Sequence, residues 1–174
     1  MIFYRHPTPS AAQGICYGRL DIGLGDSAPA EIAQAVENAP AMTRIITSPA
    51  RRAMALAEAL SGRTGAPVVS DERLWEMNFG EWEGRLWSDI DRGESDPWAE
   101  NPWDLAPPGG ESYSMVHSRI GAVLLEAEPG DVIVAHAGPI RAAKMILEGL
   151  SFAEAFADPV PFATALEIDL RGDA

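Results

Sequence analysis

The chain has 174 residues, 26 of them acidic and 13 basic, for a formal net charge of −13. That length suits one domain with a full hydrophobic core, and 47% apolar with 22% charged residues is ordinary globular composition, which excludes a disordered chain. The acidic balance turns away nucleic acid and anionic membranes, so an anionic ligand would need the few arginines to converge on one spot.

Apolar runs and turn signals alternate along the chain. Residues 2–4 (Ile2, Phe3, Tyr4) read as a short buried strand, and 29–38 as a helix with Pro29 near its start. Residues 44–47 are a second strand. Ser48 is expected to cap an alanine-rich helix over 49–61, with Gly62 and Gly65 beyond it and a third strand at Val68 and Val69. The segment 76–110 breaks the pattern. It is rich in Trp, Pro, Gly and acids, shows no long periodic element, and is expected to be an irregular lid or substrate-binding insertion. All five tryptophans (Trp75, Trp82, Trp87, Trp98, Trp103) fall between 75 and 103. Amphipathic spacing of Val116, Ile120, Val123 and Leu124 predicts a helix over 112–127. Residues 131–135 are the clearest buried strand, Gly138 and Pro139 open a helix to about Leu150, and 166–170 alternate as a last strand.

Strand-helix alternation predicts an α/β fold, a three-layer sandwich with a mostly parallel central sheet and helices on both faces. One domain over 1–174 is expected, with no linker or internal repeat. Cys16 is the sole cysteine, so neither an intrachain disulfide nor a four-cysteine metal site can form. The N-terminus shows no apolar stretch of signal-peptide length and no run is long enough to span a bilayer, so a cytoplasmic protein is expected.

In parallel sheets ligands sit beyond the carboxyl ends of the strands. Topology therefore gathers Arg5 and His6, Ser48 to Arg52, and His136 to Gly138 on one edge, since each group directly follows a strand. Arg141 follows His136 by five residues. A neutral imidazole can act as a nucleophile near pH 7, and guanidinium groups and helix N-termini hold phosphoryl oxygens. The three histidines lack metal-ligand spacing, so neither metal nor other cofactor is expected.

The ordered motifs resemble the histidine phosphatase superfamily, which includes cofactor-dependent phosphoglycerate mutase. The resemblance rests on Arg5-His6 after the first strand, Ser48-Pro49-Ala50-Arg51-Arg52-Ala53, and Leu74-Trp75-Glu76 running into Phe79-Gly80-Glu81-Trp82-Glu83-Gly84. Gly109-Gly110-Glu111-Ser112 and Val134-Ala135-His136-Ala137-Gly138 complete it. It implies a phosphoglycerate mutase-like fold. His6 becomes the phosphohistidine, Arg5, Arg52 and His136 hold the phosphoryl oxygens, and Glu76 is the general acid and then the base. Where the family often continues Gly-x-Thr, this chain has Pro7-Thr8-Pro9, and Leu56 replaces a usual Thr. Thr8 and the backbone at Ala137 and Gly138 are expected to supply further phosphate contacts.

Among the other acids, Glu72, Glu81 and Glu83 are set behind Glu76, and Glu111 is expected to cap and charge a helix start. Arg51 and His117 read as surface or boundary residues. The length is similar to the compact phosphatase branch rather than to mutases. The stretch from Gly14 to Asp21 and the Pro107-Pro108-Gly109-Gly110-Glu111-Ser112 segment are similar to α-ribazole phosphatases of cobalamin assembly. Cys16, Tyr17, Arg19, Trp98 and Trp103 are the expected substrate-pocket residues. The resemblance thus implies a small-molecule phosphate ester as partner, α-ribazole 5′-phosphate first, with a homodimer left open. Mutase-type transfer, a broad small-molecule phosphatase and an idle phospholigand-binding module are the alternatives.

Overall fold

Five short runs of apolar or alternating sequence pair into one sheet in the computed structural model, which describes residues 1–11 and 13–169. They are β1 (Ile2–Arg5), β2 (Arg44–Thr47), β3 (Val68–Ser70), β4 (Asp131–Ala135) and β5 (Ala165–Glu167). Their order is β3-β2-β4-β1-β5. All pairings are parallel except the antiparallel edge strand β5 against β1. The expected α/β fold with a mostly parallel sheet is thus observed. The last strand is shorter than the 166–170 expected, and Leu170 lies outside the described residues.

Among the described residues six helices connect the strands: α1 (Ala28–Glu37), α2 (Arg51–Thr64), α3 (Arg92–Glu100), α4 (Tyr113–Glu126), α5 (Ala137–Glu148) and α6 (Phe152–Ala157). Successive side chains of a strand point to opposite faces, and the core divides accordingly. Phe3, Ile133 and Ala135 pack with Val116, Ile120 and Val123 of α4 and Ile140 and Ala143 of α5. Tyr4, Ile45, Val132 and Val134 pack on the other face with Ala53, Leu56 and Leu60 of α2 and Ala35 of α1. Burial on both faces explains why β4 reads as an unbroken apolar run: all five of its residues are buried.

Three expectations need correction. Ser48 does not cap α2; the helix starts at Arg51, its N-cap is Ala50, and no side chain caps it. Ser48 is engaged elsewhere, as shown below. Segment 76–110 is not without regular structure. It holds 3-10 turns at Gly80–Trp82 and Trp87–Asp89 and the nine-residue α3. That helix escapes a periodicity argument because none of its residues is fully buried and Pro97 lies inside it. Glu111 does not cap α4. Its nearly buried carboxylate binds Arg19, Arg119 and the Asn78 backbone N–H, tying three segments together.

Candidate active site

Parallel register decides what meets at the sheet edge. Arg5 pairs with Ala135 and Thr47 with Val134, so the residues that follow, His6, Ser48 and His136, emerge side by side. The ladder extends one step further through His6 N to Ala135 O (3.0 Å) and Ser48 N to Val134 O (2.9 Å). The His6 and His136 rings end with centroids 5.0 Å apart.

His6 is 1% exposed, and its Nδ1 lies 2.6 Å from the Pro7 carbonyl oxygen. A carbonyl only accepts, so Nδ1 carries the proton and Nε2 keeps a free lone pair. Burial above all pushes the imidazole pKa down to about 3; the Pro7 bond opposes it, and the charges of Arg52 and Arg5 add smaller lowering effects. His6 is therefore neutral at pH 7.

His136 is fully buried, and burial followed by the neighbouring His6 and arginines holds its pKa well below the usual range. Arg52 Nη2 stands 3.3 Å from its Nδ1. A guanidinium only donates, so Nδ1 accepts, and Nε2–H donates to Ser48 Oγ at 2.8 Å. That bond is the Ser48 function the capping signature concealed. Trp75 stacks parallel to the His136 ring at 6.2 Å.

Arg52 is fully buried and donates to the carbonyls of Leu20 (2.7 Å) and Gly18 (2.8 Å). Gly18 admits no side chain, since a Cβ there would meet the Met77 carbonyl oxygen at 1.9 Å. The loop 14–24 can thus come close enough to receive the guanidinium. Arg5 donates to the Val160 carbonyl at 2.9 Å, and its guanidinium lies 3.7 Å from the centre of the Phe162 ring. Burial lowers the pKa of both arginines from a value so high that they stay charged.

Glu76 is anchored on the N-terminus of α5. Both carboxylate oxygens lie 3.2 Å from the Gly138 N–H, and Oε1 also accepts from Met77 N at 2.9 Å. The positive helix end attracts this carboxylate. A Cβ on Gly138 would sit 2.2 Å from Glu76 Oε1, so only glycine permits the approach. Tyr113 closes the arrangement by donating from its hydroxyl to the Gly138 carbonyl at 2.9 Å.

These groups surround a cavity of about 550 Å³. Of the expected site residues, Arg5, His6, Tyr17, Glu76, Trp98, Ala137 and Gly138 line it. Others do not. Thr8 has both its N–H and its hydroxyl committed to Glu31 at 2.7 Å, which corrects the expectation that it contacts phosphate. The Gly138 N–H is likewise taken by Glu76. Cys16 is fully buried with Trp82 and Ile90 behind the wall, where burial pushes its thiol up to about 12. Arg19 turns to Glu111, and Trp103 packs edge-on to His117 at 5.3 Å, so neither is on the wall. Arg52 and His136 form the layer behind His6 rather than the wall itself. The far wall comes from Phe79, Trp87, Phe152, Phe156 and Tyr113, with Arg141 between α5 and α6. Most of these carry no sequence motif. Arg141 was legible as a charge one turn into the helix after His136, and α6 as the capping box of Ser151 and Glu154.

A family profile described as "Histidine phosphatase superfamily (branch 1)" matches residues 1–174. A Hydrogenobacter thermophilus protein with the provisional name phosphoserine phosphatase 2 is 31% identical over 92% of this chain and 84% of its own. A glucosyl-3-phosphoglycerate phosphatase of Mycolicibacterium vanbaalenii is 33% identical over 86% of this chain and 74% of its own. The solved α-ribazole phosphatase of Shigella flexneri superposes with a TM-score of 0.84 over 94% of this chain and 87% of that one, at 19% identity. That last likeness is one of fold alone.

Proposed function

Because this chain belongs to the histidine phosphatase superfamily, branch 1, we propose that it hydrolyses small phosphomonoesters through a phosphohistidine on His6, without a metal ion. The observation that carries the reading is the tautomer of His6: Nδ1–H is held by the Pro7 carbonyl, leaving the Nε2 lone pair for phosphorus. A pKa of about 3 keeps that lone pair available throughout the neutral range.

In the first step Nε2 attacks phosphorus in line, the bond from phosphorus to the ester oxygen breaks, and Glu76 passes a proton to the departing alcohol. In the second step water attacks the phosphohistidine, Glu76 takes its proton, and phosphate leaves with the His6 lone pair restored. Arg5 on the wall and Arg52 behind it supply the positive charge that spreads over the phosphoryl oxygens. His136 fixes the Arg52 guanidinium and, with Ser48, completes the polar layer under the phosphoryl group. The arginines take the electrostatic role that a cation fills in other phosphatases, which supports metal independence.

The far wall bears on the alcohol. Its aromatic residues suit a flat base and so support α-ribazole 5′-phosphate as a second, narrower reading. The relatives named for phosphoserine and glucosyl-3-phosphoglycerate point instead to alcohols that carry a carboxylate. Phosphate release in EDTA from α-ribazole 5′-phosphate, phosphoserine, 3-phosphoglycerate, sugar phosphates and p-nitrophenyl phosphate tests both levels. Turnover that needs added metal, or that survives in His6→Ala, overturns the mechanism. Isomerisation of 3-phosphoglycerate faster than its hydrolysis would favour a mutase. Tight binding of phosphate with no turnover would favour a binding module.

A further inference from the structure

Carboxylates outnumber basic side chains two to one in this chain, and six of the eleven described arginines are ion-paired with one. Among the described residues Arg19, Arg44, Arg51, Arg73, Arg92 and Arg119 are each ion-paired. No such pair with a described residue is formed by Arg5, Arg52, Arg63, Arg85 or Arg141, and of these five it is Arg5, Arg52 and Arg141 whose buried Nε has no hydrogen-bond partner. The transferred phosphoryl group accounts for the first two. It does not account for Arg141.

Arg141 lines the cavity one helical turn beyond Ala137, which places its Cα about 6 Å further along the axis of α5. Its guanidinium lies 4.8 Å from the centre of the Phe156 ring. The charges that act on His6 are those of Arg52 and Arg5, whereas Arg141 acts on Arg5 and Tyr113. Arg141 thus stands on the cavity wall near Arg5 and Tyr113 and against Phe156, a helical turn beyond Ala137 and outside the charges that act on His6. An aromatic surround raises the value of a charged contact there, and the planar fork of a guanidinium matches a carboxylate.

We propose that Arg141 is a specificity residue that binds a carboxylate borne by the alcohol portion of the ester, with Phe156 holding the guanidinium plane. A single guanidinium fits one negative charge better than a second phosphate dianion. The inference rests on the phosphatase reading above, and it ranks carboxylated alcohols over an uncharged base at the far end of the cavity.

The matched probes are 3-phosphoglycerate and glycerol 3-phosphate, which differ in a carboxylate against a hydroxymethyl group. Calorimetric binding to the His6→Ala protein, in which the esters stay intact, measures the subsite apart from turnover. The carboxylated ester should bind about 30-fold tighter, the factor of a charge-assisted hydrogen bond, and Arg141→Met should abolish that preference while Arg141→Lys keeps part of it. In the His6-intact enzyme Arg141→Met should raise KM for 3-phosphoglycerate by a similar factor and leave kcat and KM for p-nitrophenyl phosphate within about threefold. Equal binding of the two probes, or equal losses on acidic and neutral esters, would overturn the subsite. Failure of the phosphatase reading shows separately, as absence of His6-dependent turnover on p-nitrophenyl phosphate.

Discussion

At the sheet end of the cavity the reactive groups follow strand termini or sit on the helix turns directly behind them; at the far end the wall is made of 3-10 turns, short helices and loops. His6 and His136 leave adjacent, registered strands, and their tautomers follow from acceptors and donors fixed in place. Trp87, Trp98, Phe79 and Trp82 instead pack on one another, with ring centroids 5.4 to 6.3 Å apart. Hydrogen bonds and register fix positions to fractions of an ångström, whereas aromatic packing fixes a volume. In the proposed reading the first end carries the reaction and the second the choice of alcohol.

The comparison breaks most sharply at His6. His6→Ala should lower phosphate release by at least about 10⁴-fold on every ester, as loss of a nucleophile does, and should leave no acid-labile phosphoprotein on rapid quenching. A smaller, ester-dependent loss would mean that the sheet end does not hold the nucleophile.

Glu76 lies where the two ends meet, and its effect should depend on the leaving group. Glu76→Gln should slow alkyl phosphates by about 10³-fold and p-nitrophenyl phosphate by less than about tenfold, since a phenolate departs without a proton. Steady-state kcat on the two ester types checks this, and equal losses would remove Glu76 from the proton transfer. Gly138→Ala should reproduce the pattern in weaker form by pushing the carboxylate off the helix N-terminus.

The sheet end should also leave a signature in stability. The folded-state pKa of His6, about 3, lies below the value of about 6.5 for an unfolded chain. Between those values the unfolded chain binds a proton that the folded one excludes, so stability falls as pH drops through the window. Thermal melts from pH 7 to pH 4 should show this decline, and His6→Ala should make it shallower. An unchanged slope would assign the acid sensitivity to other groups. The smallest effect belongs to the far wall: Trp87→Ala should raise KM for esters of aromatic alcohols by about three- to tenfold and leave kcat within twofold. A fall in kcat instead would join the wall to the chemistry.

Charged groups next to strand ends were readable before any coordinates, because a parallel sheet sends every strand's carboxyl end to one edge. The wall was not. Trp98 lines the cavity and Trp103 does not, although both are tryptophans in the same insertion, and no local spacing separates them. Ser48 shows the limit at a single residue. A serine before a proline and an alanine-rich helix matches a capping signature, yet its hydroxyl is claimed by a histidine 88 residues away. The family resemblance implies a phosphate contact for Thr8, whose hydroxyl is held instead by Glu31, 23 residues on.

The sequence alone determined the alternating fold and the edge on which Arg5, His6 and His136 gather. Those features follow from hydrophobic period and chain direction, which are local properties. The tertiary structure decided which nitrogen of each histidine carries the proton, which arginines remain unpaired and which aromatics face the cavity. Each of these depends on the one partner that folding brings within about 3 Å of a polar atom, and that choice is made between residues far apart in the chain.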